Sequence, residues 1–201
     1  MAPRAYSMQG RADQVSRTRE RIVDAALEVF ARRGARGTTM TEVARTADVA
    51  TATVTNHFAT PDLLLQAVVD RLMADLRLPE ASIFTGTRSV AARLRALTAA
   101  MFDFYERTNQ WWALLGPEIT GIPVLAKANA DVSRALHALY AEALAGVEDD
   151  TVRKVVAGLV HPATYTTLRQ AGLTLDQATD VVADAVTQQA RKHPPRNLTL
   201  A

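Results

Sequence analysis

Apolar positions along this chain recur at helical spacing nearly everywhere, and no stretch alternates as a strand would. Over residues 16–33, Ile22, Ala26 and Phe30 form one stripe flanked by Ala25 and Val29, while Asp24, Glu28 and Arg32 recur every four residues on the other side. Gly34 follows as a helix stop. Thr39 begins a second helix, with Glu42 three residues on as the partner of a capping box, and Met40, Val43, Ala44 and Ala47 share one face. Asp48 and Val49 interrupt the pattern. The next short helix, 51–58, has only Val54 and Phe58 apolar and one turn apart, against polar Thr51, Thr53, Thr55, Asn56 and His57. Thr60 caps a fourth helix, with Pro61 at its first position, running through Leu63, Leu64, Ala67, Val68 and Leu72 to about residue 76.

Leu78 and Pro79 close that helix, and 79–86 is the predicted domain boundary. Five more helices are predicted at 88–108, 109–115, 122–145, 149–170 and 175–192. Thr174 with Gln177 starts the last, Gly172 ends the one before it, and Pro162 should kink that one after about Val160. Residues 1–15, polar and without apolar period, read as a flexible N-terminal arm, and 194–201 as a C-terminal tail. The expected organisation is therefore an all-α chain with a smaller domain at 16–78 and a larger one at 79–193.

The 201 residues are 48% hydrophobic and 22% charged, enough to bury a core. The absence of cysteine excludes disulfides, thiolate metal sites and a cysteine nucleophile. No apolar run nears the roughly 18 residues that span a bilayer, and the N-terminus lacks a signal-peptide core, so a cytoplasmic protein without membrane contact is expected. Net charge is only +2, but its distribution is uneven. Residues 1–60 hold nine arginines (4, 11, 17, 19, 21, 32, 33, 36 and 45) against six acids (13, 20, 24, 28, 42 and 48). A basic end suits phosphate contact, although a solvated charged surface has the same composition.

A short one-sided helix, a tight turn and a second short helix with few buried residues form a helix-turn-helix pattern. In such a pair the first helix braces the second, whose polar side chains enter a major groove about 12 Å wide. A plain helical hairpin has the same local pattern.

Residues 17–76 resemble the DNA-binding domain of TetR-family regulators. The matching residues are Arg21-Ile22, Ala25-Ala26, Phe30, Gly34, Thr38-Thr39-Met40, Val43-Ala44, Ala47, Val49, Thr53-Val54, His57-Phe58 and Leu63-Leu64, without a gap in spacing. The resemblance implies an N-terminal three-helix DNA-binding domain with a helix-turn-helix plus a C-terminal helical bundle, about nine helices in all. It further implies a homodimer on a palindromic double-stranded operator, usually a repressor released by a small molecule, with no cofactor and no metal. Thr38 and Thr39 would touch the DNA backbone, Thr51, Thr53 and Asn56 would read bases, and Thr55 and His57 would meet phosphate. A structural hydrogen bond is the other role open to His57, and a cap alone to Thr39. Four departures bear on this. Asp48 replaces the family's usual Gly, Ala50 its Ser cap, Thr55 a Tyr and Pro61 a Lys that commonly contact phosphate. Asp tolerates left-handed backbone, and Thr51 would then cap the recognition helix.

The larger domain carries no comparable motif. Met101, Phe102, Phe104, Tyr105, Trp111 and Trp112 crowd twelve residues, with Glu118, His137, Tyr140, His161 and Tyr165 as candidate polar anchors of an effector pocket. The same spacing also describes ordinary core. Val152, Val155, Val156 and Leu159 stripe one late helix, and Ala178, Val181, Val182, Ala185 and Val186 the other. By the resemblance these helices build the dimer interface, and burial within the subunit accounts for part of both stripes. Two other functional classes compete. A helical-bundle enzyme would need Glu-x-x-His pairs, a His-Glu-x-x-His motif, a nucleophile elbow or a phosphate loop, and none is present. A protein–protein adaptor would bury Thr51, Thr53 and Asn56.

Overall fold

In the computed structural model the described residues are 4–192, with the side chains of 4–9, 112–114 and 192 left outside the description. The tail expected at 194–201 lies outside the described residues. Among those described there are nine α-helices, two 3-10 helices and no strand. The helices are α1 Arg4–Arg33, α2 Met40–Thr46, α3 Thr51–His57, α4 Pro61–Asp75, α5 Val90–Leu115, α6 Pro123–Ala143, α7 Asp150–Leu159, α8 Pro162–Gln170 and α9 Leu175–Lys192. The 3-10 helices are Ala81–Phe84 and Gly116–Gly121. No described helix is long and apolar enough to cross a membrane.

Local signals place the starts of α2, α4 and α9. The Thr39 hydroxyl accepts from Glu42 N at 3.3 Å and that of Thr60 from Leu63 N at 3.3 Å. Thr174 and Gln177 form the full reciprocal box, at 2.9 and 3.2 Å.

Three boundaries differ from the sequence expectation. First, α1 begins at Arg4, so the expected arm is helical over its described part. Its residues are good helix formers, such as Arg11, Ala12 and Gln14, and Thr18 bonds back to the Gln14 carbonyl at 2.9 Å. Second, 88–108 and 109–115 fuse into α5. The stripe Leu97, Met101, Phe104, Thr108, Trp111 and Leu115 runs on through Asn109, and the buried Thr108 hydroxyl is satisfied by Phe104 O at 2.7 Å. Third, Pro162 breaks the 149–170 segment into α7 and α8 rather than kinking it. His161 takes the extended conformation that a following proline imposes (φ −116°, ψ 147°).

The break leaves the Val160 carbonyl without a helical partner. The hydroxyls of Tyr105 (3.3 Å) and Tyr140 both donate to it. Burial disfavours both phenolates, pushing Tyr105 up to about 12 and raising Tyr140 as well. Tyr165 packs edge-on to Phe102 at 5.3 Å and lies 5.9 Å from Tyr105, completing an aromatic core.

The chain divides into two compact units. One comprises the chain to Leu76 together with Gln110–Ala130, and the other Arg77–Asn109 with the chain from Asp131 onward. The second domain expected at 79–193 therefore loses Gln110–Ala130 to the first unit. Apolar burial explains the transfer. Leu125 joins the core of Ile22, Ala26, Phe30, Val43, Val54, Phe58, Leu64 and Val68, and Trp111, Leu115 and Ile122 pack against it.

Candidate nucleic-acid interface

The first unit holds α2 and α3 at the turn Ala47–Ala50. Val43, Ala44 and Ala47 bury the inner face of α2. Asp48 then takes φ +52°, and it is the one described non-glycine residue in the left-handed region. That conformation reverses the chain, while Val49 N reaches Ala44 O at 3.0 Å and Asp48 N reaches Arg45 O at 3.4 Å. Asp is among the few residues with a side chain that enter this region at small cost.

α1 secures the turn from below. The Arg21 guanidinium donates to Ala47 O at 2.6 Å and to Asp48 O at 3.4 Å, and that of Arg19 lies 4.9 Å over the Phe58 ring. Sequence reasoning counted Arg19 only as charge and gave Arg21 no structural role. Arg21 sits among the residues that carry the family resemblance, and its anchoring of the turn gives that position a physical role.

Val54 inside α3 is 0% exposed and Phe58, the extended residue that caps its C-terminus, 2%, and together they anchor the helix inward. Thr51, Thr55 and Asn56 face solvent, and Thr53 and His57 are half-exposed. Ala50 precedes the helix with no side-chain cap. Thr51 occupies the first helical turn, so the cap expected from it does not form, and its hydroxyl stays on the exposed side. Thr55 Oγ donates to Thr51 O at 3.1 Å and Thr38 Oγ to Gly34 O at 2.8 Å, which commits the protons of both hydroxyls. Thr39 accepts one bond as a cap and retains a proton to donate. Only half of its capping box forms, because the Glu42 carboxylate pairs with Arg33 at 3.0 Å and Arg45 at 3.7 Å. The basic surplus of residues 1–60 is thus partly spent within the unit, and the exposed Arg11, Arg17 and Arg32 are left to project positive charge.

The model for bacterial regulatory proteins of the tetR family matches residues 22–68. The HTH-type transcriptional regulator BetI of Burkholderia cenocepacia is 30% identical over 151 residues, covering 70% of this chain and 75% of that protein. The chain belongs to the TetR family.

It is a DNA-binding transcriptional regulator. The repressor NicS of Pseudomonas putida is a second relative of this TetR-family chain, 27% identical over 108 residues, with 54% of this chain and 51% of that protein covered. Among solved structures, a TetR-like regulator from Rhodococcus sp. RHA1 shares the fold at TM-score 0.63 and 17% identity, covering 88% of this chain and 97% of that one. A TetR-family regulator from Streptomyces coelicolor does so at TM-score 0.59 and 18% identity, covering 90% and 91%.

In the second unit of this TetR-family regulator, the residues expected around an effector separate. Met101, Phe104, Tyr105 and Tyr165 are buried together with Phe102, and half-buried Tyr140 joins them at the Val160 carbonyl. Trp111 packs on the core of the first unit instead, and the side chain of Trp112 lies outside the described residues. His137 is exposed. His161 caps α8, its Nδ1 accepting from Ala163 N at 3.2 Å. Glu118 leaves the set too, its carboxylate taken by backbone amides of the first unit. The expected dimer residues divide likewise. Val152, Val156, Ala178 and Val182 are buried within their own chain, where α7 and α8 both pack on α9. Val155, Leu159 and Ala185 are half-exposed, and Val181 is 55% exposed.

The left-handed turn makes a stability test. Replacing Asp48 by Val should lower unfolding free energy by about 1–2 kcal/mol, whereas Asp48→Gly should hold or raise it. Urea titrations that rank Val equal to Gly would show that the turn does not hold this conformation.

Proposed function

We propose that this regulator is a repressor that binds a palindromic operator as a homodimer and leaves it when a small, largely apolar effector is bound. The exposed polar side of α3, with Val54 and Phe58 turned inward, carries the DNA half of the reading. Thr53 and Asn56 are the base readers, and Thr51 joins them near the start of the helix. Thr39 and His57 follow the phosphates, Thr38 and Thr55 join them only by releasing their hydroxyl protons from Gly34 O and Thr51 O, and exposed Arg11 and Arg17 stand in for the phosphate contacts of the family's missing Tyr and Lys. The name of the Pseudomonas relative describes that protein as a repressor, which supports repression here.

Effector binding belongs to the second unit, where the aromatic core of Phe102, Phe104, Tyr105 and Tyr165 would part to admit an apolar ligand and the Tyr105 and Tyr140 hydroxyls, which donate to Val160 O, would accept from it. Pairing of two copies would use Val155, Leu159, Val181 and Ala185, the expected interface residues still accessible on α7 and α9. The cytoplasm is the compartment such a regulator needs. An adaptor without DNA contact is disfavoured by the same exposure that supports DNA reading, since it would bury Thr51 and Asn56.

Selection of bound duplexes from random DNA tests the reading. Thr53→Ala or Asn56→Ala should weaken binding to the selected duplex by about 1–3 kcal/mol and relax preference at one position per half-site. If neither variant alters the selected sequence, α3 does not read bases. Val181→Glu should give a folded monomer by sedimentation, because the side chain is exposed in the single chain. Persistence of the dimer in that variant would move the interface elsewhere.

A further inference from the structure

The turn between α1 and α2 is held by a side chain from 82 and 83 residues away. Glu118, on the 3-10 helix Gly116–Gly121, reaches back into the first unit and accepts two backbone hydrogen bonds, from Ala35 N at 2.6 Å and Arg36 N at 3.1 Å, one on each carboxylate oxygen. Gly34, at φ +73°, has its open side filled by this carboxylate, since a Cβ there would lie 3.0 Å from both oxygens. The Arg36 guanidinium in turn lies against Gly121, at the far end of the same 3-10 helix. Two more bonds complete the turn, Thr38 N to Ala35 O at 3.2 Å and Thr38 Oγ to Gly34 O at 2.8 Å.

We propose that Glu118 is a positioning residue of the DNA-reading head, setting where α2 starts and so where Thr38, Thr39 and the braced α3 meet the duplex. The chemistry favours this role over simple solvation. A half-buried carboxylate taking two amide protons makes charge-assisted bonds, stronger than neutral ones, and both donors sit in a loop with no other backbone partner for those amides among the turn bonds described above. α2 is only seven residues long and makes few bonds of its own, so its direction depends on the turn that feeds it. The Glu118 carboxylate bonds the Ala35 and Arg36 amides rather than Thr38, Thr39 or α3, and it therefore acts through the backbone it holds. The link that carries it joins α5 to α6, so the clamp is also the place where the chain between those two long helices is fastened to the head.

The inference rests on DNA binding by the head, and the test separates the two. Full-length Glu118→Ala and Glu118→Gln are compared with the unaltered chain on the duplex it selects from random DNA and on a shuffled duplex of equal length. Amide hydrogen exchange at Ala35 and Arg36 is followed without DNA. Glu118→Ala should bind the selected duplex about tenfold more weakly, bind the shuffled duplex unchanged, and exchange both amides faster. Glu118→Gln, which keeps one acceptor oxygen, should recover part of the loss. Selected-duplex affinity equal to that of the unaltered chain, or an equal loss on both duplexes, overturns the positioning role. If no duplex is selected at all, the DNA reading fails, while the exchange rates still report the clamp, and unprotected amides at Ala35 and Arg36 in the unaltered chain end it. Should Glu118→Ala not fold, the Gln variant decides, with unchanged preference and unchanged exchange counting against the proposal.

Discussion

A helix of seven residues does not persist in water on its own, because nucleating its first turn costs more than its few hydrogen bonds return. α3 stands because Val54 and Phe58 are drawn into the core of the first unit, and that same burial decides what it presents. With two apolar side chains one turn apart facing inward, the residues between and beside them have no choice but to face out. The polarity of Thr51, Thr53, Thr55 and Asn56 is then no cost to folding. Burying Val54 and Phe58 fully is worth roughly 1.5–3 kcal/mol each, more than any contact on the exposed side contributes, so the reading surface is free to vary while its anchor holds.

That anchor works only if the chain turns sharply after Ala47. Asp48 in the left-handed region makes the turn, and Arg21 and Arg19 of α1 fasten it through the Ala47 carbonyl and the Phe58 ring. The first unit is thus built from the inside of α1 outward. Charges that composition assigns to DNA attraction serve partly as internal fasteners: Arg19 and Arg21 hold the turn, and Arg33 and Arg45 share Glu42. The effect of this pairing is to lower the positive field that reaches solvent, which puts more of the phosphate attraction on Arg11, Arg17 and Arg32.

Much of the first unit was legible in the sequence because its signals are local. Thr39 and Thr60 announce helix starts within three residues, as Thr174 does in the second unit, Gly34 and Asp48 mark turns, and the Val54–Phe58 spacing states which side of α3 is buried. The misses share a cause, which is dependence on something distant. Residues 10–17 of α1 are exposed and bury no periodic face, so hydrophobic patterning could not reveal that part of the helix. Pro162 announced a bend, but whether the helix bends or parts depended on Tyr105 and Tyr140, which reach the freed Val160 carbonyl from other helices. Glu118 sat beside an aromatic cluster in sequence and served the α1–α2 turn in space. The stripes on α7 and α9 were visible, yet a stripe does not say whose surface covers it. Packing among α7, α8 and α9 claims Val152, Val156, Ala178 and Val182 and leaves Val181 outside.

Everything else rests on the opposition at α3, with Val54 and the capping Phe58 inside and the hydroxyl and amide side chains outside. Because the natural chain has no cysteine, a single engineered thiol reports this without background. Alkylation of Asn56→Cys should be fast in the free protein and suppressed when a selected duplex is bound, while Val54→Cys should stay unreactive in both states. Equal reactivity at the two positions, or an Asn56→Cys thiol that DNA leaves unprotected, would contradict the account.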